Sequence, residues 1–238
     1  MWIYRRRGGV TAKRLAEMLN CRVSKTRKPK RHHFVINYGQ KCEYANLNAN
    51  VIFNKLEAHF KLKEAGIRVP RVYLPGEEVP DSAFPLLARK EYHSQGRDVI
   101  YIHNREQLEN DLEDFMYDYL IEYINKTSEY RVHILKDFGE FVSVKFNDDG
   151  RGDPLVRSHR NGWRQIEYDK EWKDAVIELA NQAIDALGYD FGAVDIIRRK
   201  DKLYVLEVNS SPGLEDRKLE LYADYFKHKE LEWRQNAV

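Results

Sequence analysis

Gly192-Ala193-Val194-Asp195-Ile196-Ile197 and, further on, Val205-Leu206-Glu207-Val208-Asn209-Ser210-Ser211-Pro212-Gly213 are the stretches on which the reading of this chain turns. Both are rich in aliphatic and β-branched residues, and polar Lys200-Asp201-Lys202 lies between them, the pattern of a hairpin. Side chains alternate along a strand, so Glu207 and Asn209 share one face. A three-residue turn over Lys200–Lys202 sets Asp195 directly opposite Glu207, whereas a two-residue turn points it away. In the first register two carboxylates and an amide carbonyl meet at one spot among apolar neighbours. Hard oxygen donors of this kind suit Mg²⁺, with phosphates and water filling the remaining positions. Buried carboxylates need a cation or hydrogen-bond donors beside them, which favours a metal over an ordinary surface hairpin.

Working outward, Tyr130–Lys136 and Glu140–Phe146 alternate around Asp137-Phe138-Gly139 and form a second hairpin, followed by a polar loop over Asn147–Gly162. Glu171–Leu187 reads as the best helix, with Trp172, Val176, Leu179, Ala183 and Leu187 at helical spacing and Gly188 after it. Residues after Leu214 are helical in pattern. Tyr119–Ile124 is an apolar strand carrying Glu122. Asn104-Arg105-Glu106-Gln107 resembles a capping box that opens a helix with Leu108, Leu112, Phe115 and Met116 inward. Phe84–Lys90 and Asp98–Ile102 read as strands around a loop, Glu91–Arg97, and Ile67–Leu74 is extended up to a turn at Pro75-Gly76. Asn50 is the expected N-cap of a helix from about Val51 to Ala65, with Ile52, Leu56, His59 and Phe60 on one face and Gly66 as its C-cap. Before it, Trp2–Tyr4 and Phe34–Tyr38 read as strands and Thr11–Leu19 as a helix with Leu15, Met18 and Leu19 on one face. That unit holds too few apolar residues for a core of its own and is expected to pack on the later part of the chain.

The 238 residues leave room for two small domains or one large one, and 42% hydrophobic with 33% charged residues is the balance of a soluble globular protein. No stretch is apolar for long enough to span a membrane, and the first residues lack the apolar run and cleavage site of a secretory signal. Cys21 and Cys42 are the only cysteines, which points to a reducing cytoplasm and away from a structural zinc site or a disulfide scaffold. A net charge of +2 conceals an asymmetry. Arg5, Arg6, Arg7, Lys13, Arg14, Arg22, Lys25, Arg27, Lys28, Lys30, Arg31 and Lys41 crowd the first 41 residues, where Glu17 is the only acid. Such a block attracts a polyanionic partner, nucleic acid or a phosphorylated substrate, or else forms a solvated face beside an anionic nucleotide.

With Gly192–Asp195 and Leu206–Glu215 in view, the sequence resembles the ATP-grasp superfamily, within it the group of the ribosomal-protein glutamate ligase and the lysine-biosynthesis ligases. The likeness runs from about Asn54-Lys55-Leu56 to Leu214-Glu215, with a shortened N-terminal domain before it. The resemblance implies an α+β, ATP-grasp fold, two α+β subdomains clasping ATP and preceded by a small N-terminal α/β unit. The corresponding boundaries are 1–50 for the basic unit, 51–124 for the central subdomain and 125–238 for the C-terminal subdomain with its metal-binding hairpin.

The resemblance also implies roles. Lys55 contacts ATP, and Arg89 stands where the family has its second phosphate lysine, with Lys90 next; which of the two faces inward is open. Arginine there can grip phosphate oxygens bidentately where lysine acts as a point charge. Ser94, Gln95 and Gly96 belong to a glycine-bearing loop over the phosphates, in which Asp98 replaces a second glycine. Glu122 and the backbone of Tyr123 and Ile124 face the adenine edge. Glu129-Tyr130-Arg131 matches an acid-x-Arg motif, and Arg131 and Arg157 are the catalytic candidates. Arg160 and Arg164 are as compatible with a plain surface, and His159 is a candidate base or a solvated loop histidine. Asp195, Glu207 and Asn209 are the metal ligands.

The implied activity is ATP-dependent joining of a carboxylate to an amine through an acyl phosphate, giving ADP and phosphate, with two Mg²⁺ ions for which Mn²⁺ can substitute. The acceptor is open between peptide, protein and other amines. Two rivals stand beside it: a small-molecule kinase on the same fold, and a nucleic-acid-binding or nucleic-acid-modifying protein built on the basic block.

Overall fold

Three sheets carry the described residues, and each is explained by where its apolar residues fall. The computed structural model describes all residues except 6–8, 25–29, 31, 91–98, 111–116, 149, 151, 153–154, 156, 158–160 and 237–238. In the N-terminal unit, β1 (Trp2–Arg5), β2 (Arg22–Ser24) and β3 (Val35–Tyr38) pair in parallel in the order β2-β1-β3, with α1 (Val10–Met18) crossing between the first two. The central strand β1 is buried along its whole length, as parallel strands covered on both faces are. β2 escapes a reading of the sequence because Arg22-Val23-Ser24 is short and polar. Met18, expected on the buried face of α1, is exposed; Leu15, Ala12 and Ala16 form that face instead.

As expected, this unit shares its core with later elements. Ile3, Leu15, Phe34 and Ile36 pack with Phe191 and with Leu219, Tyr222, Tyr225 and Phe226 of the C-terminal helix α5 (Asp216–Gln235). The first and last elements of the chain therefore close one core together.

The next helix, α2 (Lys55–Glu64), starts later than Asn50 predicts. Asn54 caps it, its Oδ1 accepting from the Leu56 and Glu57 amides at 2.8 and 3.0 Å, while residues 51–54 stay outside the helix. His59 and Leu62, not Ile52, are its buried residues. Gly66 ends it at φ +78°, a left-handed turn suited to glycine. α2 lies under the C-terminal sheet beside α4 (Lys173–Leu187), where Leu62 joins the second core.

The central sheet is antiparallel, β4 (Val72–Tyr73), β7 (Tyr119–Glu122), β5 (Leu86–Arg89) and β6 (Val99–Ile102), in the order β4-β7-β5-β6. Leu86, Ala88, Ile102 and Leu120 bury one face; Leu87, Arg89, Val99 and Ile121 point to the other. The helix α3 (Arg105–Asn110) opens as expected on Asn104, whose Oδ1 accepts from the Gln107 amide at 2.9 Å; Leu112, Phe115 and Met116 lie outside the described residues.

The C-terminal sheet, β10-β9-β8-β11-β12, is built from β8 (Ser128–Leu135), β9 (Gly139–Phe146), β10 (Arg164–Glu167), β11 (Phe191–Arg199) and β12 (Lys202–Asn209), all antiparallel. α4 and α2 cover one face through Tyr130, Val132, Val176, Ala180, Ile184, Val194 and Val205. β10 is a polar edge strand, which hides its alternation in the sequence.

The deciding hairpin corrects the sequence reading in one respect. Arg199 pairs with Lys202, so the turn has two residues, Lys200 and Asp201, with Lys200 at φ +54°. On that register alone Asp195 would face Leu206. A bulge between Asp195 and Ile196 on one side and Glu207 and Val205 on the other shifts the ladder by one, and Asp195 pairs with Glu207 after all. Leu206 is the extra residue of the bulge. Val205 and the partly buried Val208 pack on the core, while Leu206 and Glu207 both line the opposite side.

Candidate active site

Between the central and C-terminal sheets lies a cleft of about 980 Å³, closed at one side by α1 and by the segment leading into α5. Strand alternation delivers its floor. Glu129 and Arg131 leave β8 on one face, and the registers Arg131↔Ser143, Asp195↔Arg131 and Asp195↔Glu207 put the neighbouring strands in phase with them. Arg131, Asp195 and Glu207 thus form a row across three strands.

The row is electrostatically matched. Arg131 donates to both oxygens of Asp195, Nε to Oδ1 and Nη2 to Oδ2, each at 2.7 Å. Burial raises the Asp195 carboxyl above the usual range and Arg131 pulls against it; in return Asp195 holds the guanidinium charged. Lys55 Nζ reaches Glu207 Oε2 at 2.6 Å, and Asn209 Nδ2 donates to Glu207 Oε1 at 3.0 Å. Burial works to raise the Glu207 carboxyl, but Lys55, Asn209 and Arg131 together hold it down at about 2. Both pairs are charge-assisted, and the Arg131–Asp195 fork fixes orientation as well as charge.

The sequence foreshadows a second cluster only in part. Glu129, 4% exposed, is gripped by Lys145 and by Lys126, the latter at 3.1 Å. Burial raises its carboxyl and the two lysines overcome that, so the balance falls below the usual range. Lys145 also donates to the Arg157 carbonyl, and Arg157 Nη2 donates to the Lys126 carbonyl at 3.1 Å with its guanidinium 4.4 Å from the Trp163 ring centre. Neither Lys126 nor Lys145 is singled out by the sequence motifs. The β8–β9 register explains it: the turn is Lys136-Asp137-Phe138, a residue earlier than the expected Asp137-Phe138-Gly139, so Leu135 pairs with Gly139 and counting outward from that pair brings Lys145 opposite Glu129.

Of the residues named from sequence, Lys55, Arg89, Glu122, Tyr123, Ile124, Glu129, Arg131, Arg157, Asp195 and Glu207 line the cleft. Arg89 lies on the cleft face of β5 with Leu87, and Lys90 is not among the lining residues. Asn209 reaches the site through Glu207. Ser94, Gln95, Gly96, His159 and Arg160 lie outside the described residues. At the Glu122 end two of the expected adenine groups are engaged within the protein: Glu122 Oε2 accepts from the Arg71 amide at 3.2 Å, and the Tyr123 amide donates to the Pro85 carbonyl at 3.2 Å. Apolar Leu87, Ile121, Ile197 and Leu206 line the cleft and offer flat aliphatic surface.

Among the described residues the cleft is lined by nine Lys or Arg side chains against five Asp or Glu, an excess suited to a polyphosphate. The basic N-terminal block is divided. Arg5 is 7% exposed and donates to the Gly9 carbonyl at 2.8 Å, Arg14 lines the cleft, and Arg22 lies 5.8 Å from the Trp2 ring centre. Arg6, Arg7, Lys25, Arg27, Lys28 and Arg31 lie outside the described residues. No helix among the described residues is long and apolar enough to cross a membrane.

The RimK-like ATP-grasp domain matches this chain over residues 53–226. A Haemophilus influenzae protein named "Probable alpha-L-glutamate ligase" is 32% identical over 186 residues, 72% of this chain and 58% of that protein. The D-alanine–D-alanine ligase of Petrotoga mobilis is 25% identical over 167 residues, 62% of this chain and 54% of that protein. The chain therefore spans between half and two thirds of the length of these relatives. Among solved structures, the D-alanine–D-alanine ligase of Bacillus anthracis complexed with ATP superposes with a TM-score of 0.68 at 15% identity, covering 100% of this chain and 98% of that one. ATP-grasp ligase PsnB, complexed with minimal precursor, Mg and ADP, gives 0.67 at 13% identity, covering 96% of both chains. The solved structures show that the fold is ATP-grasp. The matched stretch takes in both antiparallel sheets and every cleft residue from Lys55 to Lys218, and by it the chain belongs to the RimK-like ATP-grasp family.

Proposed function

We propose that this protein is an ATP-dependent carboxylate–amine ligase that passes through an acyl phosphate and releases ADP and phosphate. The observation that carries the reading is the row Arg131–Asp195–Glu207–Lys55, two carboxylates on adjacent strands flanked by cations on the floor of a positively charged cleft. Phosphoryl transfer depends mainly on positioning and on neutralising charge, and this arrangement supplies both.

The donor set fits Mg²⁺. Asp195 and Glu207 are opposite one another, and Asn209 turns its Nδ2 to Glu207, which leaves its Oδ1 as the available donor. Two carboxylates and one amide oxygen make a partial hard shell of the kind a metal–nucleotide complex completes with phosphate oxygens. When bound, Mg²⁺ would screen the phosphates and polarise the transferring group. The chain's own residues do the rest. Lys55, Arg89 and Arg157 neutralise charge on the phosphates, with Arg157 held by the Lys126 carbonyl and by Trp163. Leu87, Ile121, Ile197 and Leu206 sandwich the base, and Glu122 with the backbone around Tyr123 and Ile124 borders its edge. A substrate carboxylate attacks the γ-phosphorus and ADP leaves; an amine then attacks the acyl carbon and phosphate leaves. Closure of the cleft around its substrates would keep water from the intermediate.

Relatives with this fold are named for different substrates, glutamate in one case and D-alanine in another, so the family leaves this chain's substrates open. The test is ADP release on pairing amino acids and peptides with ATP and Mg²⁺, with hydroxylamine added in parallel. A hydroxamate is the expected product. A stable phosphorylated alcohol in its place would assign a kinase instead.

A further inference from the structure

The cations of the cleft are not all balanced. Lys55 pairs with Glu207, Arg131 with Asp195, Lys126 and Lys145 with Glu129, and Arg164 with Asp148. Arg14 and Lys218 also line the cleft, and among the described residues neither joins a carboxylate in an ion pair. They come from the two ends of the chain. Arg14 is on α1, and its Nη1 stands 3.5 Å from the Leu214 carbonyl, while the Leu214 amide donates to Thr11 Oγ1 at 3.3 Å. Lys218 is in the first turn of α5, half-buried, with Nζ 5.5 Å from the Phe141 ring centre. Both therefore bracket Gly213-Leu214-Glu215, the segment that leaves the hairpin carrying Glu207 and Asn209.

A half-buried ammonium without a contacting anion loses hydration and recovers little. Burial lowers the Lys218 pKa, with Glu215 opposing that and Arg131 adding to it. An incoming carboxylate reverses the penalty, and both an arginine fork and an ammonium are well matched to one. The phosphate-facing cations are placed elsewhere, on α2, β5, β8 and β9 and in the segments flanking them. A ligase that activates one carboxylate must also keep any other carboxylate of its substrates away from the transferring phosphoryl group.

We propose that Arg14 and Lys218 form a specificity site that holds a free carboxylate of an amino-acid substrate, one that is not activated. The inference rests on the ligase reading above and adds to it the class of substrate and the two residues that select it. Two sources share that chemistry, the α-carboxylate of an amino acid and the side-chain carboxylate of an acidic one.

Isothermal titration of the full chain with L-glutamate, L-glutamine, L-isoglutamine and the glutamate diamide, in ADP and MgCl₂, tests this. L-Glutamate is expected to bind wild type, and Arg14→Gln and Lys218→Gln are each expected to weaken it by about tenfold or more, the scale of a charge-assisted hydrogen bond. ADP-induced thermal shifts check that both variants are folded. Binding of glutamine but not isoglutamine assigns the α-carboxylate as the group held; the reverse assigns the side chain. Equal affinity for the diamide, no glutamate binding by wild type, or full glutamate affinity in both folded variants overturns the proposal. Variant-sensitive glutamate binding without ADP release in the ligation assay removes the ligase reading and leaves this one standing.

Discussion

The C-terminal sheet and the N-terminal unit solve the same problem in opposite ways. The sheet carries its own logic: hairpins close β8 to β9 and β11 to β12, and adjacent strands bring Arg131, Asp195 and Glu207 into one row. The N-terminal unit has no such self-sufficiency. Its three parallel strands complete their core with Leu135, Phe191 and Leu214 and with a helix that begins at Asp216, at the far end of the chain. Hairpin pairing sets Asp195 against Glu207, whereas the β8–β11 pairing that adds Arg131 and the packing that carries Arg14 both join residues far apart along the chain. The hairpin pairing is legible from strand alternation; the long-range packing is not.

That contrast can be broken at several points. The largest effect is expected for Glu207→Ala, which removes one carboxylate from the row. ADP release should fall by about a thousandfold, the scale of removing a principal electrostatic contact. Stability should change little, because the Lys55–Glu207 pair is partly solvated, with side chains 40% and 32% exposed. Steady-state turnover alongside a urea melt separates the two. Unchanged turnover would sink the site assignment.

Phe226→Ala tests the other region. The ring is fully buried and its centre lies 5.1 Å from that of Phe191, so truncation should cost about 3–5 kcal/mol in chemical denaturation. The loss falls on the core shared by the two termini. A mild effect, under about 1 kcal/mol, would mean that the N-terminal unit supports itself.

Acid should weaken the fold through two buried histidines. Burial, the largest cause, lowers His133 to about 3 and His59 to about 4. Their folded values lie below the unfolded one near 6.5, so the unfolded chain binds more protons as pH falls. The stabilisation is complete above about pH 6.5 and is lost progressively toward pH 4 and below. His133 Nδ1 lies 3.1 Å from the Tyr222 hydroxyl, which also donates to the Gly192 carbonyl at 3.2 Å. His133→Phe should therefore flatten the fall of Tm between pH 6.5 and 4 without orphaning Tyr222. An unchanged slope would place the acid sensitivity elsewhere.

The smallest effect concerns the bulge. Leu206→Ala keeps the backbone register and removes apolar surface beside the proposed base, so nucleotide affinity should drop by about three- to tenfold, as for loss of a partly exposed leucine side chain. Fluorescent-nucleotide titration measures it. A normal affinity would show that the base does not rest on Leu206.

Legibility follows the range of the interaction. The helix expected over Glu171–Leu187 and found over Lys173–Leu187 follows from apolar spacing, as does the β8–β9 hairpin, although its turn is Lys136-Asp137-Phe138 rather than Asp137-Phe138-Gly139. The start of α2 differs by four residues from the expected one: Asn54 rather than Asn50 caps it, and Val51 and Ile52 pack on the second core ahead of the helix. The pairing of Asp195 with Glu207 is expected for a mistaken reason: the turn is a residue shorter, and the bulge restores the register. Val205 and Val208 carry the hint, since both pack on the core although a regular strand would set them on opposite faces.

By itself, then, the sequence determined the donor types of the hairpin, because alternation acts between near neighbours, and through the family resemblance it named most of the cleft's charged residues. Only the tertiary structure decided that Leu206 and Glu207 share a face, that Arg89 rather than Lys90 lines the cleft, that Lys126 and Lys145 close on Glu129, and that Arg14 and Lys218 meet the cleft from opposite ends of the chain. Those outcomes depend on which strands and helices pack together, and the energies that settle it come from residues far apart along the chain.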